Sequence, residues 1–411
     1  MKIKSLLLAA LAFVPSVLSA QVIEGDVLVR GDGVPKDYKI PEGIREIAPN
    51  AFATSSVRSI ECPASLEVIG QCAFFYATEL KSVTFAPNSK LKTIGEQAFS
   101  DCTNLETIEL PNSVDSIGVN AFVLCENLKK ITIPTGLRKL SRSTFMSCSN
   151  LMKVKFPEML KEIDETCFAN CVSLTSLTLT GVETIGERAF YNCKVLTNVK
   201  LNEGLKEIKD NAFQRCIAIE TLELPASIEK TGAKLFLQCP EFDGFTVVAD
   251  SKYMMADGGV LYSKDKTTLY ECPQTAKSDN FVVPAETKLI RSMAFFECQD
   301  IKAITLPKNL EKIGTGALSN NGMATFNFTT NDYLIYEDNA LYYRSQNGNG
   351  LYLMAIPCKG TKTEFLLQPK TSYIADYAFS YNNSMQKVSL PDPVIGVGPC
   401  FLCLPRLERY L

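Results

Sequence analysis

Thirteen times along this chain of 411 residues a small residue, most often alanine, precedes a phenylalanine or its substitute, and a cysteine often follows three positions later. The pair reads Ala-Phe at 98–99, 121–122, 189–190, 212–213 and 294–295. Degenerate copies are Thr144-Phe145, Cys167-Phe168, Leu235-Phe236, Ala317-Leu318 and Cys400-Phe401. From Phe99 to Phe236 the steps are 23, 23, 23, 22, 23 and 23 residues. A fixed period of this length marks a stack of small units, none of which buries its apolar face alone. The core then grows along one axis, instead of closing into the two or three globular domains that the length would otherwise suggest.

Residues 99–122 show the unit. Phe99 and Cys102 lead to Leu105-Glu-Thr-Ile108-Glu-Leu110-Pro111, then Val114-Asp-Ser-Ile117-Gly118, then Ala121-Phe122. The Ile-x-Leu alternation predicts a short strand with one buried face, stopped by a proline that lacks a donor. Val-x-x-Ile-Gly reads as a turn, and Val119 to Leu124 as one tight helical turn. The same template returns at Leu128…Ile131…Ile133-Pro134, Leu151…Val154…Phe156-Pro157, Ile219…Leu222…Leu224-Pro225 and Ile301…Ile304…Leu306-Pro307. Stacking places the strands side by side at roughly 4.8 Å, a body on the order of 60 Å long. The fold class expected is an α/β solenoid: a leucine-rich-repeat horseshoe with a parallel concave sheet and a phenylalanine ladder on the opposite wall.

The phrase Cys-x-x-Leu-x-x-Ile-x-Leu-Pro…Val-x-x-Ile-Gly-x-x-Ala-Phe closely resembles the BspA-like leucine-rich repeats of bacterial surface proteins, over roughly residues 40–411. The resemblance implies a secreted or surface-exposed adhesin or host-matrix binder. It supplies no single ligand.

The rhythm breaks twice. Phe236 to Phe295 spans 59 residues and Leu318 to Phe379 spans 61. Within the gaps Asp257-Gly-Gly-Val-Leu-Tyr262 matches Asp338-Asn-Ala-Leu-Tyr-Tyr343, and each leads through a polar turn to a second apolar run. Strand, turn, strand predicts β-hairpins near 250–275 and 333–358. Similar inserts occur in the family resembled. The organisation expected is a leader over 1–20, an N-terminal capping segment over 21–50, an uninterrupted block over 51–240 and a decorated block over 241–411. The hairpin tyrosines Tyr262, Tyr270, Tyr342 and Tyr343, with Tyr352, are either a contact surface or packing.

Residues 1–20 read as a secretory signal: Lys2 and Lys4, an apolar run from Leu6 to Val14, and small residues before a cut after Ala20. Residue 21 is glutamine, which argues against a lipid anchor on the new N-terminus. An exported protein, secreted, at the cell surface or in the periplasm, is the expectation. At the other end Leu407-Glu-Arg-Tyr-Leu411 begins another strand template without a polar cap, which suggests an open edge or an unfinished array.

The chemistry is as informative as the pattern. There is no histidine, so Ser-His-Asp or Cys-His catalysis and the common zinc sites are absent. No phosphate loop or dinucleotide fingerprint occurs. Outward glutamates Glu61, Glu109 and Glu223 sit too far apart for paired carboxylate work. No enzyme activity, cofactor or metal is expected. A net charge of −3 without a basic cluster of the right kind sets nucleic acid aside. Eight cysteines (102, 125, 148, 171, 193, 216, 239, 298) share one slot of the repeat, which reads as a buried ladder in preference to disulfides. Cys400-Phe-Leu-Cys403 looks like a redox or zinc half-site, but Cys400 replaces the alanine of the Ala-Phe pair and no second CxxC occurs. Arg30-Gly31-Asp32 spells an integrin-type tripeptide and is equally an ordinary tight turn.

What remains is the outward row of the strands. It is rich in hydroxyls and carries a basic stripe at its middle, Lys130, Lys153 and Lys155; with Thr132, Thr178 and Lys200 these are the candidate binding residues. A solvated strand face is one reading, since threonine suits strands and lysine discourages aggregation. A binding surface is the other. The partner would be a macromolecule, first a host or matrix protein, alternatively a glycan or envelope component.

Overall fold

The computed structural model describes residues 22–345 and 350–398. The expected leader (1–20), the Cys400/Cys403 pair and the terminal strand template (407–411) lie outside the described residues. The chain winds as a β-solenoid of about 16 turns. Each turn lays down one strand where the Ile-x-Leu pattern falls: Ser59–Cys62, Ser82–Phe85, Thr107–Ile108, Lys130–Thr132, Lys153–Lys155, Ser176–Thr178, Asn198–Lys200 and Thr221–Leu224. Within groups of two to four turns, neighbours pair in parallel and in phase, Ser59 beside Ser82 and Lys130 beside Lys153. Their inner residues, such as Ile60, Ile131, Leu177 and Leu222, are buried.

Two expectations need correction. The first concerns Val-x-x-Ile-Gly, read above as a turn. It is a second column of strands: Glu46–Ile47, Val68–Ile69, Thr93–Ile94 and Ser116–Ile117, then Lys139–Leu140 through Lys230–Thr231. They also pair in parallel, Ile47 beside Ile69 and Ile69 beside Ile94. A two-residue strand shows no alternation, so its pairing is visible only once the turns are stacked.

The second concerns the helical half of the expected α/β class. Among the described residues there is no helix. The wall from Asn120 to Leu124 is turned by left-handed residues at both of those positions (φ 57° and 61°), and the equivalents in neighbouring turns do the same. Such residues stop a helix from propagating. Their cost is offset by hydrogen bonds between turns: the N–H groups of Asn120, Phe122 and Leu124 donate to Arg142, Thr144 and Met146 at 2.9–3.1 Å. The wall is thus a third inter-turn ladder.

Inside that wall the phenylalanines stack. From Phe52 through Phe74, Phe99, Phe122, Phe145, Phe168, Phe190 and Phe213 to Phe236, ring centroids lie 4.9–5.5 Å apart with planes within 13° of parallel. All nine are buried, and each contributes about 1.5–3 kcal/mol of transfer energy.

Each interruption inserts a three-stranded antiparallel unit into the second column: Met254–Asp257, Val260–Ser263 and Thr268–Glu271, then Leu334–Glu337, Ala340–Arg344 and Leu351–Ala355. The middle strand of each is buried on both faces. Leu261 belongs to the core before it, while Val260 and Tyr262 belong to the core after it. Leu341 and its neighbours Ala340 and Tyr342 repeat the arrangement. The inserts are partitions between core blocks.

Candidate binding surface

The basic stripe assembles as the alternation predicts. Lys130 is the in-register neighbour of Lys153, Thr132 of Lys155 and Thr178 of Lys200. All six are exposed. Like charges placed directly across a strand pair repel, whereas several nearby lysines face carboxylates. Lys129 reaches Glu106 at 3.3 Å, Lys139 reaches Glu162 and Asp164 at 3.0 and 2.9 Å, and Lys161 and Lys206 share Glu183. Lys130, Lys153, Lys155 and Lys200 have no carboxylate within 4 Å among the described residues. Four unneutralised ammonium groups therefore crowd onto four adjacent turns, beside the hydroxyls of Thr132, Ser176 and Thr178.

The hairpin tyrosines divide. Tyr262 and Tyr342 are 3% and 0% exposed, because the strands carrying them lie between two core blocks; they pack, and offer no contact surface. Burial pushes the Tyr262 hydroxyl well above its ordinary value, and that of Tyr342 up to about 12. Tyr270 and Tyr343 are half-buried, and Tyr270 lies under the Arg291 guanidinium at 5.2 Å. Arg30 and Asp32 are bonded to each other at 3.0 Å across Gly31, so the charged ends of the tripeptide are mutually engaged.

The eight in-phase cysteines are all buried and unpaired. Seven of them donate S–H to the carbonyl of the phenylalanine one turn back, as in Cys125 to Phe99 at 3.2 Å and Cys148 to Phe122 at 3.2 Å. Desolvation raises the pKa of Cys125 and Cys148, which keeps the nucleophilic thiolate scarce.

One feature had no sequence signal. Where the wall breaks after Phe236, the buried Glu271 carboxylate accepts the Leu235 and Phe236 N–H groups at 2.8 and 3.3 Å. Elsewhere the phenylalanine N–H donates to a carbonyl of the following turn, as Phe213 does to Leu235, and the N–H before it to a carbonyl three residues back, as Ala189 does to Gly186. Lys234, also buried, donates to the Cys272 carbonyl at 3.3 Å. Beside this junction lies a cavity of about 460 Å³ lined by Glu207, Lys209, Asp210, Glu229, Tyr270 and Arg291. Among the described residues no group of three metal-ligating side chains converges, and no helix is long and apolar enough to cross a membrane.

A family model described as a BspA type leucine rich repeat region matches in six copies, over residues 75–182, 161–256 and 267–349. No curated protein matches the chain. Among solved structures, a leucine rich cell surface protein from Faecalibacterium prausnitzii is 20% identical with a TM-score of 0.51, and covers 94% of this chain and 92% of its own. A leucine-rich repeat protein from Bacteroides ovatus is 20% identical with a TM-score of 0.57, covering 90% of this chain and 85% of its own. At these identities the likeness is one of fold.

Proposed function

This chain belongs to the BspA-type leucine-rich-repeat family, and from that premise we propose that it is a secreted or surface-exposed binding protein whose strand face engages an acidic macromolecule, in the first place a host or matrix protein. The carrying observation is the juxtaposition of Lys130 with Lys153, and of both with Lys155, without a neutralising carboxylate among the described residues. A like-charge cluster costs folding free energy, and an acidic partner recovers it on binding. The surrounding threonines and serine supply donors and acceptors for a polar interface. The signal-like sequence of residues 1–20, with Lys2 and Lys4 before an apolar run, and the surface location named for the Faecalibacterium protein support the placement outside the cell.

The test is an array of matrix proteins and glycans probed with the wild type and with Lys130→Glu, Lys153→Glu, Lys155→Glu combined. Binding to an acidic matrix protein that weakens with added salt and falls at least tenfold in the triple variant is expected. A triple variant that binds as the wild type does removes this face from consideration. Retention only by acidic glycans would replace the protein partner with a polysaccharide.

A further inference from the structure

In the Ile-x-Leu column, inward residues direct their backbone groups to the following turn, as Ile133 N–H does to Lys155 O at 3.0 Å and Leu306 N–H to Asn327 O at 2.9 Å. Because strand residues alternate, outward residues direct theirs to the preceding turn. Strand pairing in this column lapses after Ile108, Lys155 and Lys200, where the next turn still follows directly, and is interrupted more widely at the two inserts. After each hairpin insert the column restarts: Phe281–Val282 pairs only with Ala303–Thr305, and Glu364–Leu366 only with Lys387–Ser389. Leu367 N–H donates forward to Ser389 O at 3.2 Å, so the N–H and C=O groups of Glu364 and Leu366 face back, where no strand pairs with them among the described residues.

Side chains mark the same two strands. The outward position is polar along most of the column: Thr305 and Asn327 follow Val282 in register, and Ser389 stands beside Leu366. At the restarts it is Val282, 64% exposed, and Leu366, 72% exposed. The runs Phe281-Val-Val283 and Phe365-Leu-Leu367 thus abandon the alternation that the other strands keep. At the first gap the hairpin turn partly occupies the space, with Gly259 O accepting Phe245 N–H at 3.0 Å. At the second a cavity of about 510 Å³ lies between the hairpin turn at Asp338 and the edge from Thr361 to Leu366. Its charges are matched internally: Lys362 donates to the Asp338 carbonyl at 2.9 Å, and Lys387 stands 3.9 Å from Glu364.

We propose that the Glu364–Leu366 edge receives an extended peptide segment of a partner protein as an added strand, its apolar residues at alternate positions resting on Leu366. An unpaired strand edge is a template for pairing, and main-chain bonds with alternate side-chain contacts are how such edges recognise peptides. The internally neutralised charges favour an uncharged, apolar-alternating segment over a polyanion. This site is separate from the lysine stripe.

The experiment selects nine-residue peptides from a random displayed library against the full chain. Enriched peptides with alternating apolar residues are expected, slowing amide hydrogen exchange at Glu364 and Leu366. Their affinity should fall at least tenfold in Leu366→Asp and severalfold in Leu366→Thr, which installs the residue type found at Thr305. Methylation of alternate peptide nitrogens should abolish binding, and Lys153→Glu should leave it unchanged. The exposure of Leu366 keeps both variants folded, checked by thermal melting. No enrichment, or enriched peptides that protect other amides and ignore Leu366→Asp, would overturn the proposal. So would a self-associating wild type that becomes monomeric in Leu366→Asp, since the occupant would then be a second copy.

Discussion

The Cys125 thiol lies 3.2 Å from the Phe99 carbonyl oxygen, one turn back, and gives it a second hydrogen bond beyond the one from Cys102 N–H. The relationship repeats at Cys148 with Phe122 and at Cys171 with Phe145. The slot therefore wants a small, buried group with a weak donor, which cysteine supplies without the desolvation cost of a hydroxyl. In the native state iodoacetamide should leave Cys125, Cys148, Cys171, Cys193 and Cys216 unlabelled at pH 8. In unreduced urea-unfolded protein all five should be labelled. Mass spectrometry of tryptic fragments reads the difference, and labelling that requires prior reduction would replace the thiol ladder with disulfides.

Phe145 sits between Phe122 and Phe168 at 5.3 and 5.4 Å. Phe145→Ala removes both stacks and opens a cavity that the rigid inter-turn ladder cannot close. A loss of roughly 3–5 kcal/mol is expected, read as a lower urea midpoint. Because turns contact only their neighbours, the damage should be centred on that part of the array, with amide exchange fastest around residues 120–170.

Glu271 accepts the Leu235 and Phe236 N–H groups where the first insert interrupts the wall. Glu271→Ala leaves two buried N–H groups without an acceptor, at about 1–3 kcal/mol for each. Burial raises the Glu271 pKa, an effect opposed by Lys234 and by the two N–H donors. The folded state then holds its proton more tightly than the unfolded chain. The contribution of this group to stability is full below the ordinary glutamate value of about 4.3 and diminishes as pH climbs toward the raised folded value. Urea midpoints of Glu271→Gln, compared with wild type across that window, should lack this fall; equal slopes would show that the carboxyl does not titrate there.

Asp265 behaves oppositely. In the turn of the first insert its Oδ1 accepts from Ser263 Oγ and Thr267 Oγ1, both at 2.7 Å, and from Thr267 N–H at 3.0 Å. These bonds hold its pKa down to about 2. Its stabilisation is present above the ordinary aspartate value of about 3.9 and is lost as pH falls toward 2. Asp265→Asn should shrink the acid-induced loss of protection at the Thr267 and Thr268 amides, measured by hydrogen exchange; an unchanged acid profile would place the titration elsewhere.

The period, the phenylalanine ladder, the cysteine slot and the outward lysines were all legible in the sequence. In a stack of equal turns, residues one period apart must be neighbours, so phase alone predicts contact. Val-x-x-Ile-Gly was not legible as a strand, because two residues cannot show a period of two and their partners lie in other turns. The wall was misread as helical because left-handed backbone at Leu124 and Arg215 is imposed by inter-turn hydrogen bonds, against the preference of those residues. Tertiary structure likewise decided that Tyr262 and Tyr342 pack, since only the stacked molecule puts a hairpin strand between two cores. It decided that Glu271 caps a broken ladder and that Leu366 stands at an open edge. Repetition, in short, made the regular contacts local enough to read; the interruptions join residues that share no phase, and only the folded chain brings those together.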